Sequence, residues 1–288
     1  MPLELLGSEK DQTSVQSSQV VSFESVTVVK GQNSVLEKVS WTVRHGEHWV
    51  VFGPNGSGKT TLLSCVYGET YPADGEIRIF GSKLGEIDVR DLRRKIGRLS
   101  PRLRFRVRPT MLVIELCAAI KAGLLDSYWI TTEVNRSQLV NFLGEWGLDN
   151  LADRCIESLS SGEFHKLELA LSLIEKPELL LLDEPFAFLD LSTRQQSLQF
   201  VNSLQERSDF PNSTVLVTHY LEEVSSFTTH ALLMRQGRIV EAGPISEVIT
   251  TEHISACFGV PLTVTTYNSR YRVEFAKEHS LDQGPFQP

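Results

Sequence analysis

The sequence predicts an α/β protein with a mostly parallel sheet, and three features of the 288-residue chain carry this prediction. Short apolar runs typical of buried strands alternate with segments of helical periodicity. Ahead of them, several β-like runs separated by turns indicate an antiparallel subdomain near the N-terminus. Between two parts of the α/β pattern, a block of helical periodicity indicates an inserted α-helical subdomain.

Composition excludes several classes of protein. The net charge of −8 argues against a surface that binds nucleic acid over its whole extent. No apolar run approaches the length of a membrane-spanning helix, and the first residues lack the basic region of a secretory signal. The cysteines form no CxxC pair and lie far apart, at Cys65, Cys117, Cys155 and Cys257. We therefore expect a reduced, cytoplasmic protein whose contact with a membrane's inner face would be made through a partner.

A phosphate-binding loop is the strongest local motif. It consists of Gly53, Pro54, Asn55, Gly56, Ser57, Gly58, Lys59 and Thr60. Its glycines let the backbone aim N–H groups at an anion, while Lys59 reaches the β- and γ-phosphates and Thr60 offers a hydroxyl to Mg²⁺. The buried-strand run Trp49–Phe52 precedes it, and a helix opened by Thr61 follows, so a chance glycine-rich turn is disfavoured.

The segments on either side of the phosphate-binding loop predict a tail, several short strands and one charged helix. Residues 1–19 are predicted to be a disordered tail, because the stretch 7–19 is polar. Short strands then follow at Val20–Phe23, Val26–Val29, Ser34–Glu37 and Val39–Val43. Trp41 and Trp49 could be ligand platforms, but their β-rich context favours a place in the core. After the loop we predict a strand at 75–81, a charged helix at 87–95 and a strand at 96–100.

A basic segment extends from Arg90 to Arg108 and contains a single acid, Asp91. Two interpretations stay open. The segment is either a contact surface for phosphates, lipid headgroups or an acidic partner, or a solvated edge whose arginines pair with acids elsewhere.

The second half of the chain continues the α/β pattern. Helical periodicity at 111–125 and 139–146 defines the inserted subdomain, at about 102–160. A helix opens at Leu159–Glu163, and a run of four leucines then forms a buried strand that ends in Asp183-Glu184. A further helix at 192–206, a buried strand at 213–218 ending at His219, and a hairpin at 231–241 complete the pattern.

This order of motifs resembles that of the ATP-binding-cassette (ABC) ATPases. The resemblance extends from about Val20 to Glu247 and rests most specifically on Leu159-Ser160-Ser161-Gly162-Glu163. It implies a P-loop NTPase core over 20–247, with 248–288 as a C-terminal extension. ATP and Mg²⁺ are the implied ligands.

Roles carry over from the resemblance to matching residues. Asp183 would hold the Mg²⁺ shell together with Thr60, and Glu184 would polarise the attacking water. His219 resembles the switch histidine that contacts the γ-phosphate. Lys59 completes the implied catalytic set.

The resemblance also implies that one chain holds half a site. Ser160, Ser161, Gly162 and Glu163 would bind the ATP of an opposite cassette, and Asp190 matches the loop that crosses between subunits. Two cassettes, as a homodimer or with a second ABC cassette, would close over two ATPs and open after hydrolysis.

The chain departs from the family pattern at several positions. Pro101 stands where the family usually has a glutamine, and proline cannot coordinate Mg²⁺ through a side chain. An aromatic residue that stacks on adenine is expected near Val29 or Lys30; Lys30 could lie over the purine ring as a cation. Ser161 and Glu163 replace the usual glycine and glutamine.

The tail His253–Leu262 and the run 40–49 resemble the importer ATPases of the iron-chelate and molybdate type. They imply a subunit that powers a separate integral-membrane transporter. The alternative is a soluble, non-transport ABC ATPase with a regulatory or nucleic-acid-associated role, motivated by the basic segment; a subunit with little turnover is a third possibility. In this family the choice of transported substrate lies in other subunits.

Overall fold

The computed structural model describes residues 19–100, 103–123, 135–207, 209–267 and 270–276. The strands are β1 Gln19–Lys30, β2 Asn33–Arg44, β3 His48–Phe52, β4 Asp74–Ile79, β5 Ser82–Lys83, β6 Ile96–Leu99, β7 Leu179–Asp183, β8 Ser213–Thr218, β9 His230–Arg235, β10 Arg238–Pro244, β11 Leu262–Tyr267 and β12 Arg270–Phe275. The α-helices are α1 Lys59–Val66, α2 Val89–Lys95, α3 Leu103–Arg106, α4 Val113–Lys121, α5 Arg136–Glu145, α6 Ser161–Leu171, α7 Leu191–Ser203, α8 Ile245–Val248 and α9 Thr251–Phe258.

The central sheet has the strand order β10-β9-β3-β8-β7-β6. Its pairs are parallel except for the hairpin β9–β10. Every residue of β7 and β8 is buried, as expected of strands with helices on both faces. The predicted α/β class with a mostly parallel sheet is confirmed.

A second, antiparallel sheet has the order β2-β1-β4-β5. The runs Val20–Phe23 and Val26–Val29, predicted as separate strands, are one strand, because a register shift between Phe23 and Val26 absorbs the interruption. Gln19, assigned to the tail, is the first residue of β1. Trp41 and Trp49 are 4% and 5% exposed and pack edge to face, which confirms their place in the core.

The helical block shares one hydrophobic core with the central sheet; helix α4 contacts α5, and helix α6 contacts β6. Its core includes fully buried Leu116, Leu143 and Ile156. Helix α4 is shorter than the predicted 111–125; it begins after Leu112, whose backbone N–H donates to the Glu115 carboxylate at 2.9 Å. Pro101 lies outside the described residues, as do 124–134 and the predicted tail before Gln19.

A C-terminal unit follows the cassette-like region. No helix or strand was predicted for 248–288, but helix α9 packs on β9 and the hairpin β11–β12 packs beside Leu221–Glu223. Leu262 of this hairpin is buried in the main core. None of the described helices is both long enough and apolar enough to cross a bilayer.

Gly97 of β6 lies where a side chain cannot fit. A Cβ atom there would be 2.0 Å from the Ser172 carbonyl oxygen and 2.8 Å from Pro177 Cγ. We expect Gly97→Ala to lower the free energy of unfolding by about 1–3 kcal/mol, because the backbone must shift. Urea denaturation measures this. Gly144→Ala, in helix α5 with open space around its Cβ, is the control and should be neutral or slightly stabilising; equal effects of the two substitutions would contradict the close packing.

Candidate functional site

Three neighbouring parallel strands end at one edge of the central sheet. β3 leads into the loop Gly53–Thr60, β7 ends at Asp183, and β8 ends next to His219. The registers are in step, since Phe52 pairs with Thr218 and Val217 pairs with Asp183. Carboxyl ends of parallel strands form the usual ligand crevice of such sheets.

The loop backbone needs glycine at two close approaches. A Cβ atom on Gly53 would lie 2.1 Å from the Met234 carbonyl oxygen. On Gly58, whose φ is +104°, it would lie 2.9 Å from the Val35 carbonyl oxygen. Strands β9 and β2 therefore hold the loop in place by backbone contact.

Lys59 closes the loop on itself. Its side chain is buried, and Nζ donates hydrogen bonds to the carbonyl oxygens of Gly53 at 2.8 Å and Pro54 at 3.0 Å. Burial lowers the pKa of Lys59, while the carboxylates of Glu184 and Asp183 act in the opposite direction. The ammonium is thus held in advance at the place where an anion would bind.

Ser57 and helix α1 make the loop fit a phosphate group. Ser57 Oγ is buried and has no hydrogen-bond partner among the described residues. Such an atom costs free energy unless a ligand or water satisfies it. The backbone at the start of α1, which includes Thr60 and Thr61, offers free N–H groups beside it.

Thr60 and Asp183 form the candidate metal position. Thr60 Oγ1 donates to Asp183 Oδ1 at 3.2 Å, and Asp183 is 3% exposed. Across the described ranges, no group of three or more His, Cys, Asp or Glu residues could hold a metal by itself. Mg²⁺ commonly takes one or two protein oxygens together with phosphates and waters, so this pair fits a nucleotide-bound Mg²⁺.

Glu184 and His219 face each other beyond the metal position. Glu184 Oε1 lies 3.4 Å from His219 Nδ1, and both side chains are about a quarter exposed. Glu184 has φ of +48°, and its N–H donates to the Val217 carbonyl oxygen, which fixes the bend after β7. The Nδ1 atom of His219 is buried without a hydrogen bond in the described part of the chain.

An ion pair behind His219, between the buried Glu223 and the half-buried Arg194, was not foreseen from the sequence. Glu223 accepts hydrogen bonds from Arg194 Nη2 and from Thr218 Oγ1, each at 2.5 Å. Burial raises the pKa of Glu223, and Arg194 opposes that shift. Arg194 also lies over the Tyr220 ring, which packs against His219 at 4.1 Å between centroids. The sequence signal for this pair was spacing, since Arg194 lies four residues after Asp190 and Glu223 lies four residues after His219.

The segment Ser160–Glu163 forms a separate surface at the start of α6. Ser160 Oγ accepts from the Glu163 N–H, and the Glu163 carboxylate accepts from the Ser160 N–H at 2.8 Å. This capping box lowers the pKa of Glu163, first through the Ser160 backbone bond. The remaining first-turn N–H groups of Ser161 and Gly162 point out of the helix end.

Asp190 caps helix α7. Its carboxylate accepts from Ser192 N, Thr193 N and Thr193 Oγ1, and these bonds lower its pKa, with the Thr193 hydroxyl contributing most. Phe188 and Leu191 on either side are 93% and 85% exposed. Within the described ranges, no hydrogen bond or ion pair joins Ser160–Glu163 or Asp190 to the phosphate loop.

Helix α6 also buries two titratable groups. Glu168 and His165 are 6% and 4% exposed, with 3.9 Å between Oε2 and Nδ1. Burial raises the pKa of Glu168 to about 8, with a smaller opposing effect of Arg104. Burial lowers the pKa of His165 to about 4. Both side chains are therefore mainly neutral at pH 7.

A cavity of about 710 Å³ opens between the central sheet and the helical block. Apolar residues of α3, α4 and α6 line it, and Phe105 at its rim is 85% exposed. Four arginines of the basic segment reach it, namely Arg93, Arg94, Arg98 and Arg106. Glu69 binds Arg98 at 2.6 Å and Arg106 at 2.5 Å.

Other members of the basic segment pair with acids. Arg90 binds Asp88 at 3.0 Å, and Lys95 lies 3.3 Å from Glu178. Acids elsewhere in the fold thus pair with several cations of the segment, as the solvated-edge interpretation predicts, and Arg98 and Arg106 are paired although they line the cavity. A contact surface for phosphates, lipid headgroups or an acidic partner stays a prediction.

Comparison with known proteins gives one family. The ABC transporter family profile matches residues 36–187. A putative ABC transporter ATP-binding protein of Streptococcus mutans is 33% identical over 87% of this chain and 96% of its own length. The molybdate/tungstate import ATP-binding protein WtpC of Thermococcus kodakarensis is 34% identical over 75% of this chain and 62% of its own length. An inward-facing putative metal-chelate type ABC transporter has a similar fold, with a TM-score of 0.67 and 22% identity over 90% of this chain and 97% of that one.

Glu168 makes the stability of the fold depend on pH. A carboxyl group whose pKa is higher in the folded state stabilises the fold below its unfolded pKa, and this stabilisation is lost as pH rises through the folded value. The window here extends from 4.5 to about 8. We expect Glu168→Gln to have a small effect at pH 5 and to be more stable than the wild type by about 2–4 kcal/mol at pH 9.

Denaturant titrations across this range measure the difference. Glu145→Gln, at an exposed position of helix α5, is the matched control and should show no such trend. A Glu168→Gln difference that does not change with pH would contradict the buried, protonated carboxyl.

Proposed function

The chain belongs to the ABC transporter family, and from this premise we propose that it hydrolyses ATP to power a separate membrane-spanning transporter subunit. One observation carries the proposal. The phosphate loop, Asp183 and His219 lie at the adjoining ends of β3, β7 and β8, with Glu184 beside His219. This edge combines an anion cradle, a metal position and a general base.

Hydrolysis would use residues already held in place. Lys59 and the loop N–H groups bind and orient the phosphate chain. Thr60 and Asp183 would hold Mg²⁺, which supplies neutralisation of the β- and γ-phosphate charge when bound. Glu184 would accept the proton of the attacking water, and His219 would orient the γ-phosphate. Arg194 and Glu223 hold the segment behind His219 in position.

We propose that two cassettes close over two ATPs. The Ser160 and Glu163 N–H groups are satisfied by the capping box, while the first-turn N–H groups of Ser161 and Gly162 beside it favour an anion. Exposed Phe188 and Leu191 next to Asp190 supply apolar surface that a second cassette would cover. Binding of ATP would therefore shift an open–closed equilibrium, and hydrolysis would release it.

The membrane subunit would dock in the cavity beside the helical block. Its apolar lining and exposed Phe105 suit the apolar face of a partner helix. The similarity to the molybdate/tungstate import ATP-binding protein of Thermococcus kodakarensis supports an importer-type assignment.

The second candidate is a non-transport ABC ATPase that binds nucleic acid. The basic segment favours it, although Asp88, Glu69 and Glu178 already pair with several of its cations. Tight DNA or RNA binding that weakens steeply with salt would support this candidate. Co-purification with an integral membrane protein would support transport.

Glu184→Gln tests the assigned base. We expect the ATP hydrolysis rate to fall by about 10²–10⁴-fold, because the amide cannot accept the proton, while ATP affinity is retained. Phosphate release and equilibrium binding measure the two quantities, and size-exclusion chromatography with ATP should detect a persistent dimer. Glu222→Gln, three residues beyond His219, is the control. Undiminished turnover in Glu184→Gln would overturn the role of Glu184.

Phe105→Ser tests the docking surface. The exposed ring contributes apolar contact area, so its loss should weaken association with the membrane subunit by about tenfold while basal ATP hydrolysis stays unchanged. Co-purification from detergent extracts measures association. Phe275→Ser, at another exposed ring, is the control. Equal capture by both variants would place the partner elsewhere.

A further inference from the structure

The hairpin formed by β1 and β2 is held against the phosphate loop. The Val35 carbonyl oxygen and the Leu36 side chain lie so close to Gly58 that a Cβ atom on this residue would clash with both. Gly237 ties the same region together, since its N–H donates to the Ser57 carbonyl and its carbonyl accepts from Glu37 N. The position of Lys30, the last residue of β1, is therefore fixed relative to the loop.

Lys30 points at the first turn of α1. Its Nζ lies 3.4 Å from Thr61 Oγ1, and Thr61 is 7% exposed. The preceding threonine, Thr60, turns its hydroxyl to Asp183 instead. Two consecutive hydroxyls thus have different neighbours, with a carboxylate beside one and an ammonium beside the other.

These neighbours distinguish the two ends of a bound phosphate chain. The Thr60–Asp183 side is the metal side, where the β- and γ-phosphates of a nucleotide meet Mg²⁺ in phosphate-loop enzymes. The loop N–H groups cradle the α- and β-phosphates. Lys30 contacts the Thr61 hydroxyl, away from the metal side. It would therefore lie at the nucleoside end of the phosphate chain, near the α-phosphate.

We propose that Lys30 is a second phosphate-binding cation, which recognises the α-phosphate of a nucleoside triphosphate rather than its base. The inference rests on the nucleotide-binding function proposed above. The neighbouring exposed side chain on β1, Val29, is aliphatic and presents no ring for stacking. Affinity at this end comes from charge, so the site discriminates weakly among nucleobases.

Charge recognition and base contact give different patterns of binding. A cation on the α-phosphate contributes equally to ATP, GTP and CTP, and salt screens its contribution. A lysine lying over the purine ring would favour the purine nucleotides, and its removal would affect those alone.

The experiment measures the equilibrium affinity of ATP, GTP and CTP for the full chain, in EDTA so that nothing is hydrolysed. We expect Lys30→Gln to weaken all three by a similar factor, about five- to tenfold at low salt. The factor should shrink at about 0.5 M salt, where the Debye length is short. Lys30→Arg should retain the wild-type affinities within about twofold, since it keeps the charge.

Lys38→Gln is the matched control, because it removes an exposed lysine from the partner strand β2. It should leave all three affinities unchanged, and thermal unfolding should give the same midpoint for both glutamine variants. Loss confined to ATP and GTP, or no loss for any nucleotide, would overturn the inference and leave the ATPase function standing. A wild-type chain that bound no nucleoside triphosphate would overturn the proposed function, and this inference with it.

Discussion

Parallel pairing of β3, β8 and β7 is the constraint on which the rest of the structure depends. The phosphate loop and Asp183 are more than a hundred residues apart, yet pairing in register brings them within a hydrogen bond of each other. Strands buried on both faces satisfy their backbone groups only through such ladders. The site is thus assembled by the same hydrogen bonds that hold the core.

Buried polar groups at this edge are held in advance of any ligand. Lys59 is fixed by two carbonyl oxygens of its own loop, and His219 is backed by Tyr220 and the Arg194–Glu223 pair. In a site shielded from water, fixed charges act strongly and need little rearrangement during reaction. Ser57 Oγ is the complementary case, since it is buried and has no hydrogen-bond partner among the residues that the structure describes.

The basic segment shows that the pairing of charged residues depends on acids elsewhere in the fold. Its alternating arginines gave two equal interpretations, because a one-dimensional pattern does not say which acids lie nearby. Glu69 comes from the turn after α1 and pairs with two arginines, while Glu178 directly precedes β7 and pairs with Lys95. The two arginines that Glu69 binds, Arg98 and Arg106, also line a cavity whose apolar walls suit the apolar face of a partner helix.

The sequence by itself determined the fold class, the phosphate loop and the order of site motifs, because these depend on local spacing and on burial periodicity. It also placed Trp41 and Trp49 in the core. It did not predict the single bulged strand β1, the C-terminal hairpin or the Arg194–Glu223 pair. Only the tertiary structure decided these, since β1 depends on its register with β2 and β4, the hairpin packs beside Leu221–Glu223, and Arg194 and Glu223 are 29 positions apart. The same reason applies to Lys30: its neighbour Thr61 is 31 positions away, and packing of the hairpin on the loop directs its charge.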